Sequence, residues 1–361
     1  MAIKSYAQAI KDVTAEEMRR DKRVFVMGED IEILGGIFGC TRGLNDEFNK
    51  EFYAHTKYPA GPANLNLDQL NEFYDSCDYA NYSGEYRVRN TPISEAGFIG
   101  AGIGAAAAGM RPICELMYMD FALCGMDQLL NQAAKIRYIF GGKAKLPLVI
   151  RGQQGVGRGN AATHSQSLET MLSHIPGLKV AMPSTPADAA GLLRAAIRDD
   201  NPTVVIEHKA LYIKKAEVPD DPDFIVPFGK ASVRREGKDC TVIATHLYVD
   251  KALHAAEELA KEGIDVEVID PRTIVPLDEE TILKSVKKTG RAVIVHEAHQ
   301  FLGIGAEISA VISEKAFNYL DAPILRLGSK SCPLPFNRGL EAAVVPQEED
   351  MVRAIRKVCH R

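Results

Sequence analysis

Short apolar runs, each followed by a longer amphipathic stretch, recur along this chain and constrain its fold more than any other feature. Val24–Met27, Leu146–Ile150, Lys179–Met182 and Val204–Glu207 read as strands buried on both faces. Helical spacing is carried by residues 3–21, by Leu44–Phe48, by Gly125–Phe140 and by the stretch that ends at Arg198. That last helix opens with Thr185 as N-cap, Pro186 at its first position and Asp188 at its third. Gly141-Gly142 ends the helix before it. Doubly buried strands alternating with helices imply a parallel sheet covered on both sides. The segment 214–230, KKAEVPDDPDFIVPFGK, is rich in Pro and Asp and has no period. Beyond it the alternation resumes, with strands at Cys240–Thr245, Val266–Ile269, Ala292–Val295 and Ile324–Leu327. Helices are expected there at Val249–Lys261, Asp278–Lys287, Ala306–Tyr319 and Glu348–Val358. The expected architecture is α/β: two three-layer α/β/α domains, 1–213 and 231–361, joined by a linker over 214–230.

At 361 residues the chain can bury two cores, and its net charge of -5 comes from interleaved acids and bases. No basic stripe points to nucleic acid, and no block of like charge points to a disordered tail. Gly97–Met110, the longest small-apolar run, is too short to span a bilayer, and the N-terminal stretch has no apolar signal core. No membrane contact is expected. The seven cysteines form no CxxC pair, which fits reduced thiols in a cytoplasmic protein. Residues 50–88 hold half of the chain's twelve tyrosines among Pro, Asn, Asp and Gly, with a short helix at Leu67–Tyr74. Such an insertion reads equally as an interface or as a self-packed loop.

The chemistry centres on Asn90–Phe121, NTPISEAGFIGAGIGAAAAGMRPICELMYMDF. Glu95 lies among Ile93, Ala96, Gly97 and Phe98, so partial desolvation favours its sharing a proton. It reads equally as a first-turn acid stabilised by the helix dipole. Glu29 follows a strand end, where ligands bind in open parallel sheets, and reads equally as a turn cap or ion-pair partner. His164 lies in RGQQGVGRGNAATHSQS, a glycine-rich loop after a strand, with plain solvation as the alternative. Gly100, Gly102 and Gly104 are spaced GxGxG, which does not match the dinucleotide pattern and fits close helix packing. In VHEAHQ, His296 and His299 are three apart and follow a strand, which does not match a zinc helix.

TPISEAGF, GAGIGAAAAGMRPICELM, DQLLNQAAK, RYIFGGK, AATHSQS, PGLKV, AIRDDNP and EVIDPRTIVPLDEETI together resemble one family. It is the β subunit of thiamine-diphosphate-dependent 2-oxo acid dehydrogenase first components, and the blocks follow its order over nearly the whole chain. ELMYMDF, NQAAKIRYIFGGKA, EHKALY and EGKDCTVIA are most similar to its acetoin dehydrogenase branch, and GGIFGCT is similar to branched-chain members. The resemblance implies a thiamine-diphosphate-binding pyrimidine domain followed by a C-terminal transketolase-type domain. It implies that Glu95 bonds a ring nitrogen of the cofactor's aminopyrimidine and promotes the imino form that generates the nucleophilic carbon. It likewise implies that Ile93, Met117 and Phe121 line the pyrimidine pocket, with Glu29 nearby and His164 in the substrate and lipoyl channel. Leu148, Ala196, Ile197, Asp199 and Asn201 match a structural monovalent-cation (K+) site, formed largely by backbone oxygens.

The family's diphosphate–Mg2+ motif, GDG followed later by NN, is missing from this chain. The resemblance therefore implies an α subunit that holds the diphosphate and Mg2+, and a heterotetramer of two α and two β chains. A lipoyl-bearing acyltransferase component takes the acyl group. The expected reaction cleaves a carbon–carbon bond beside a carbonyl, in acetoin, pyruvate or a branched 2-oxo acid. Two departures bear on the substrate. Cys124 replaces a glutamine of many pyruvate-type members, and segment 50–88 is longer than usual. The competing reading is a non-catalytic protein that binds a partner or a nucleotide through its glycine-rich loops.

Overall fold

The computed structural model describes residues 1–79, 82 and 84–360. Its strands are β1 (Ala2–Ser5), β2 (Val24–Gly28), β3 (Val88–Asn90), β4 (Arg111–Leu116), β5 (Val149–Gln154), β6 (Lys179–Ala181) and β7 (Thr203–His208). They continue with β8 (Lys215–Val218), β9 (Ser232–Arg235), β10 (Cys240–Ala244), β11 (Val266–Asp270), β12 (Thr273–Val275), β13 (Ala292–His299) and β14 (Leu325–Ser329). A seven-stranded sheet has the order β12-β6-β7-β5-β4-β2-β3, and a five-stranded sheet the order β14-β13-β10-β11-β9. All neighbours in the first sheet are parallel except β12 with β6; in the second, only β9 with β11 is antiparallel.

Successive residues of one strand feed opposite layers, as the pleat requires. Val24 and Val26 join a core with Ile10, Val13, Leu193 and Ile197 from helices Tyr6–Arg20 and Pro186–Arg198. Phe25 and Met27 face the other way, toward Ile99 and Ile103 of helix Glu95–Ala107. That second core continues without interruption to Ile243, Ile269 and Ile294 of the five-stranded sheet. The apolar interior thus binds both sheets together. No helix among the described residues is long and apolar enough to cross a membrane.

Several elements differ from the sequence expectation. Residues 3–5 are not helical: β1 pairs antiparallel with β8, and Ser5 caps the helix at Gln8 N. The segment 214–230 therefore begins with a strand tied to the N-terminus. Strand β4 lies in the middle of the first sheet although it contains Arg111, Pro112 and Glu115. Its Glu115 side chain is buried against Arg151, which offsets the charge. Strand β12, from the C-terminal half, closes one edge of the first sheet beside β6. At the other edge Asn49 imitates a strand: its side chain accepts from Arg87 N and Val88 N and donates to Val88 O at 2.7–3.0 Å. The tyrosine-rich segment packs on itself, burying Phe52, Tyr53 and Phe73, and its Tyr53 and Tyr86 hydroxyls donate to the buried Glu32. Gly125–Phe140 contains a π-helical turn at Gln128–Ala133, and only Leu129, Ala133 and Ala134 of its apolar residues are fully buried.

Candidate active site

Strands β3, β2, β4, β5 and β7 run parallel, so their C-terminal ends share one edge. Four of them deliver candidate residues there: Glu29 after β2, Ile93 and Glu95 after β3, Met117 and Phe121 after β4, and the His164 loop after β5. This is the edge where open α/β sheets bind ligands. Gly28 allows the strands to close up, because a Cβ at that position would stand 2.6 Å from the Glu115 carbonyl oxygen.

Glu95 is the first residue of helix Glu95–Ala107, and Ser94 before it makes no side-chain cap. It is 7% exposed, and no protein donor meets its carboxylate among the described residues. The acid thus sits buried at the positive end of the helix dipole. Glu29 is buried as well, and burial, the Glu95 charge and Asp30 push its carboxyl up to about 7. Its Oε1 has no hydrogen-bond partner. Two neighbouring carboxylates with unanswered oxygens suit a ligand that brings ring nitrogens and an amino group.

Ile93 is 85% exposed, whereas Met117 and Phe121 are half-buried. Tyr118 and Phe121 hold the His164 ring edge-on, with centroids 4.9 and 5.3 Å away. His164 Nδ1 lies 2.9 Å from Thr163 Oγ1. Phe38, from the glycine-rich loop after β2, meets Tyr118 edge-on at 6.4 Å. Cys124 is exposed and directly follows the short helix Met119–Leu123 that carries Phe121.

Other residues at this edge were not singled out from the sequence. Asp120 accepts from Gln166 N and Nε2 at 3.1 and 3.0 Å, and burial raises its pKa. Glu297 Oε1 accepts from Val156 N and Ser167 Oγ, while its Oε2 lies 2.9 Å from His208 Nε2. Gly155, at φ +94°, is required there, since a Cβ would stand 2.3 Å from His208 Nε2. Lys209 follows β7 and is fully buried. Its signal was present in EHKALY: a lysine directly after a strand end. Glu297 was hidden in VHEAHQ, which runs within β13. His296 there is packed under Gly303 and Gly305, and no group of three His, Cys, Asp or Glu able to hold a metal occurs among the described residues. Gly102 packs on Cys114, where a Cβ would meet Sγ at 2.5 Å, so that glycine serves close packing.

The five residues matched to a monovalent cation gather around the C-terminal end of helix Pro186–Arg198, whose carbonyls favour positive charge. The chain already supplies some: Arg111 donates to Ile197 O and Asp199 O at 2.8 and 3.0 Å, and Lys179 pairs with the Asp199 carboxylate. Leu148 O accepts from Thr203 N, Ala196 O accepts from Asp199 N, and Asn201 donates to Asp199 Oδ1. A bare cation would have to share these oxygens through their second lone pairs.

The family description "Transketolase, pyrimidine binding domain" matches residues 3–215, and "Transketolase, C-terminal domain" matches residues 229–351. The chain is 42% identical over 361 residues to the pyruvate dehydrogenase E1 component subunit beta of Rhizobium meliloti, covering 100% of this chain and 71% of that one. It is 42% identical to the acetoin:2,6-dichlorophenolindophenol oxidoreductase subunit beta of Cupriavidus necator, covering 97% and 95%. It is 41% identical to the 2-oxoisovalerate dehydrogenase subunit beta of Bacillus subtilis, covering 99% of each. A solved chain described as "Split gene transketolase, inactive beta4 tetramer" has the same fold at 20% identity, with a TM-score of 0.69 over 99% of this chain and 98% of that one. This chain belongs to the family of pyruvate, acetoin and 2-oxoisovalerate dehydrogenase β subunits, built on the two transketolase domains.

Proposed function

We propose that this chain is the β half of a thiamine-diphosphate-dependent first component that cleaves a carbon–carbon bond beside a carbonyl and passes the acyl group to a lipoyl carrier. The observation that supports it most is the pair Glu29 and Glu95, both buried at the sheet edge and close enough for the Glu95 charge to push the Glu29 carboxyl up, with Glu29 Oε1 unpartnered. Bound cofactor supplies the nucleophilic carbon and the electron sink. Glu95 accepts a hydrogen bond at a ring nitrogen and holds the proton shared there. Glu29, whose carboxyl is pushed up to about 7, is about half protonated at neutral pH and can hold a second proton close by. Ile93, Met117 and Phe121 line the ring, and Ile93 awaits a covering surface. His164, wedged between Tyr118 and Phe121, meets the substrate and the lipoyl arm.

The covering surface is assigned to an α subunit carrying GDG and NN, which holds the diphosphate and Mg2+, in a heterotetramer of two α and two β chains. The division of the chain within 214–230 is supported by the lack of helix or strand over residues 219–230. The seven free cysteines support a cytoplasmic location. A K+ ion sharing the carbonyls around Ala196 and Ile197 would raise Tm in potassium over tetramethylammonium chloride.

The test is Glu95→Gln in the co-expressed α–β pair. Turnover is expected to fall by about 10²–10⁴-fold with assembly retained, in line with loss of a positioned proton-transfer group. Wild-type-like turnover overturns the reading. Acetoin, pyruvate and branched 2-oxo acids, assayed on the same pair, identify the substrate.

A further inference from the structure

The loop from Gly155 to Ser167 carries His164 and has little regular structure of its own. Its ends are tied to Glu297, which accepts from Val156 N and Ser167 Oγ. Gly157 N donates to Glu341, and Gln166 to Asp120. Its middle is tied to one side chain. Lys209 Nζ donates to His164 O at 2.5 Å, to Ser165 Oγ at 3.2 Å and to Asn160 Oδ1 at 3.3 Å. Its own backbone N–H is fixed on Gln154 O at the end of β5. The same ammonium stands 5.6 Å from the Tyr118 centroid, the ring against which His164 packs. Lys209 is 0% exposed, and no carboxylate lies within salt-bridge distance of it among the described residues. A buried ammonium without an ion pair is costly, and its direct hydrogen bonds are what offset that cost at contact distance. All of those bonds go to the loop.

We propose that Lys209 is the positioning residue of this site: it seats the His164 loop against Tyr118, so that acyl transfer to the lipoyl arm depends on Lys209 although Lys209 touches no substrate. The consequence for the reaction rests on the role given to His164 above; the anchoring does not.

The charged groups facing Lys209 are Asp120, Glu297 and Glu341, which favour its protonation, and Arg158, which opposes it. Burial outweighs the three acids and brings the ammonium down to about 8. Below that pH the group has three N–H donors for three loop oxygens. Above it the amine has two donors, a lone pair and no charge, so the contacts to His164 O and Asn160 Oδ1 lose their charge assistance and the Ser165 contact survives only with the hydroxyl donating.

The experiment uses the assembled α–β pair with Lys209→Met, Lys209→Arg and His164→Ala. Hydrogen exchange over 156–166 reads the loop. Acyl transfer to a free lipoyl domain and turnover with a dye acceptor read the chemistry. In Lys209→Met, loop protection is expected to fall at least about tenfold, an opening that one lost hydrogen-bond cluster can produce. Acyl transfer should fall about 10–100-fold, with the dye reaction changed less than about threefold, the split of an interaction made in one step only. In wild type, acyl transfer declines above about pH 8, and Lys209→Arg, which stays charged, removes that decline. Unchanged loop protection in Lys209→Met overturns the proposal. If that variant fails to assemble, a decline that persists in Lys209→Arg overturns it instead. Loss of protection with normal acyl transfer in both Lys209→Met and His164→Ala keeps the anchor and removes the assigned role of His164.

Discussion

The middle strands of the first sheet carry an arginine between two glutamates, whereas those of the second are mainly aliphatic at their centre, and their buried Thr241, Glu267 and Asp270 bond to groups outside that sheet. Arg151 on β5 pairs with Glu115 on β4 and donates twice to Glu207 on β7 at 2.7 Å, and Tyr212 closes the set at 2.5 Å from Glu207. All four are at most 4% exposed. In the second sheet Val242, Ile243, Val268, Ile269, Val293 and Ile294 fill the equivalent space at 1% exposure or less. Both sheets have parallel strands covered by helices, so packing alone does not require the charges. The polar set lies in the strands whose C-terminal ends form the candidate site. Burial there fixes the orientation of three neighbouring strands at the cost of intolerance to change, while the aliphatic sheet tolerates repacking.

Breaking the charged set should have the largest effect. Arg151→Met leaves two buried glutamates facing each other and is expected to remove about 3–5 kcal/mol in urea unfolding, typical of a broken buried pair. A loss under about 1 kcal/mol would show that the two interiors are equivalent. In the aliphatic sheet, Ile294→Ala should cost about 2–4 kcal/mol by cavity formation, with no dependence on pH between 5 and 8. A pH-dependent loss there would blur the contrast.

The smallest effect sharpens it at the edge itself. Folding holds the Glu29 carboxyl protonated up to about pH 7, well above its ordinary value, so the folded state binds the extra proton as pH rises from about 4.5 to 7. Stability from this group is present at low pH and lost through that window. Glu29→Gln cannot ionise; the cofactor-free variant is expected to match wild type below about pH 4.5 and to exceed it by about 1 kcal/mol above pH 7. Equal Tm values at pH 8 would show that burial and the Glu95 charge do not raise the Glu29 carboxyl. Salt sharpens the comparison further: only the part of the Glu29 effect that comes from the Glu95 and Asp30 charges should shrink with ionic strength, and the Ile294 effect should not.

The same contrast explains what the sequence made legible. The aliphatic runs Cys240–Thr245, Val266–Ile269 and Ala292–Val295 announce strands, because nothing but burial explains them. Strand β4 went unread, since Arg111, Pro112 and Glu115 look like surface residues until their partners on other strands are known. Strand β5 was placed early for the same reason, at Leu146–Ile150, whereas it runs through Arg151 to Gln154. Glu95 was legible as a buried acid at the start of a small-residue helix from its apolar flanks, while the role expected of it came from the family resemblance. Lys209 and Glu297 were not, because each acquires meaning only through a loop some 45 or 130 residues away in the chain.

Strand β12 carries one last implication, for synthesis rather than for catalysis. The edge of the first sheet beside β6 is completed by Thr273–Val275, about a quarter of the chain after Ala181. A ribosome that has released the whole pyrimidine-binding region has still not released the strand that closes it. Until then the β6 edge offers unpaired N–H and C=O groups to any passing chain. Truncation before residue 273 should therefore yield a sticky half-protein, and the two transketolase domains of this chain should mature together.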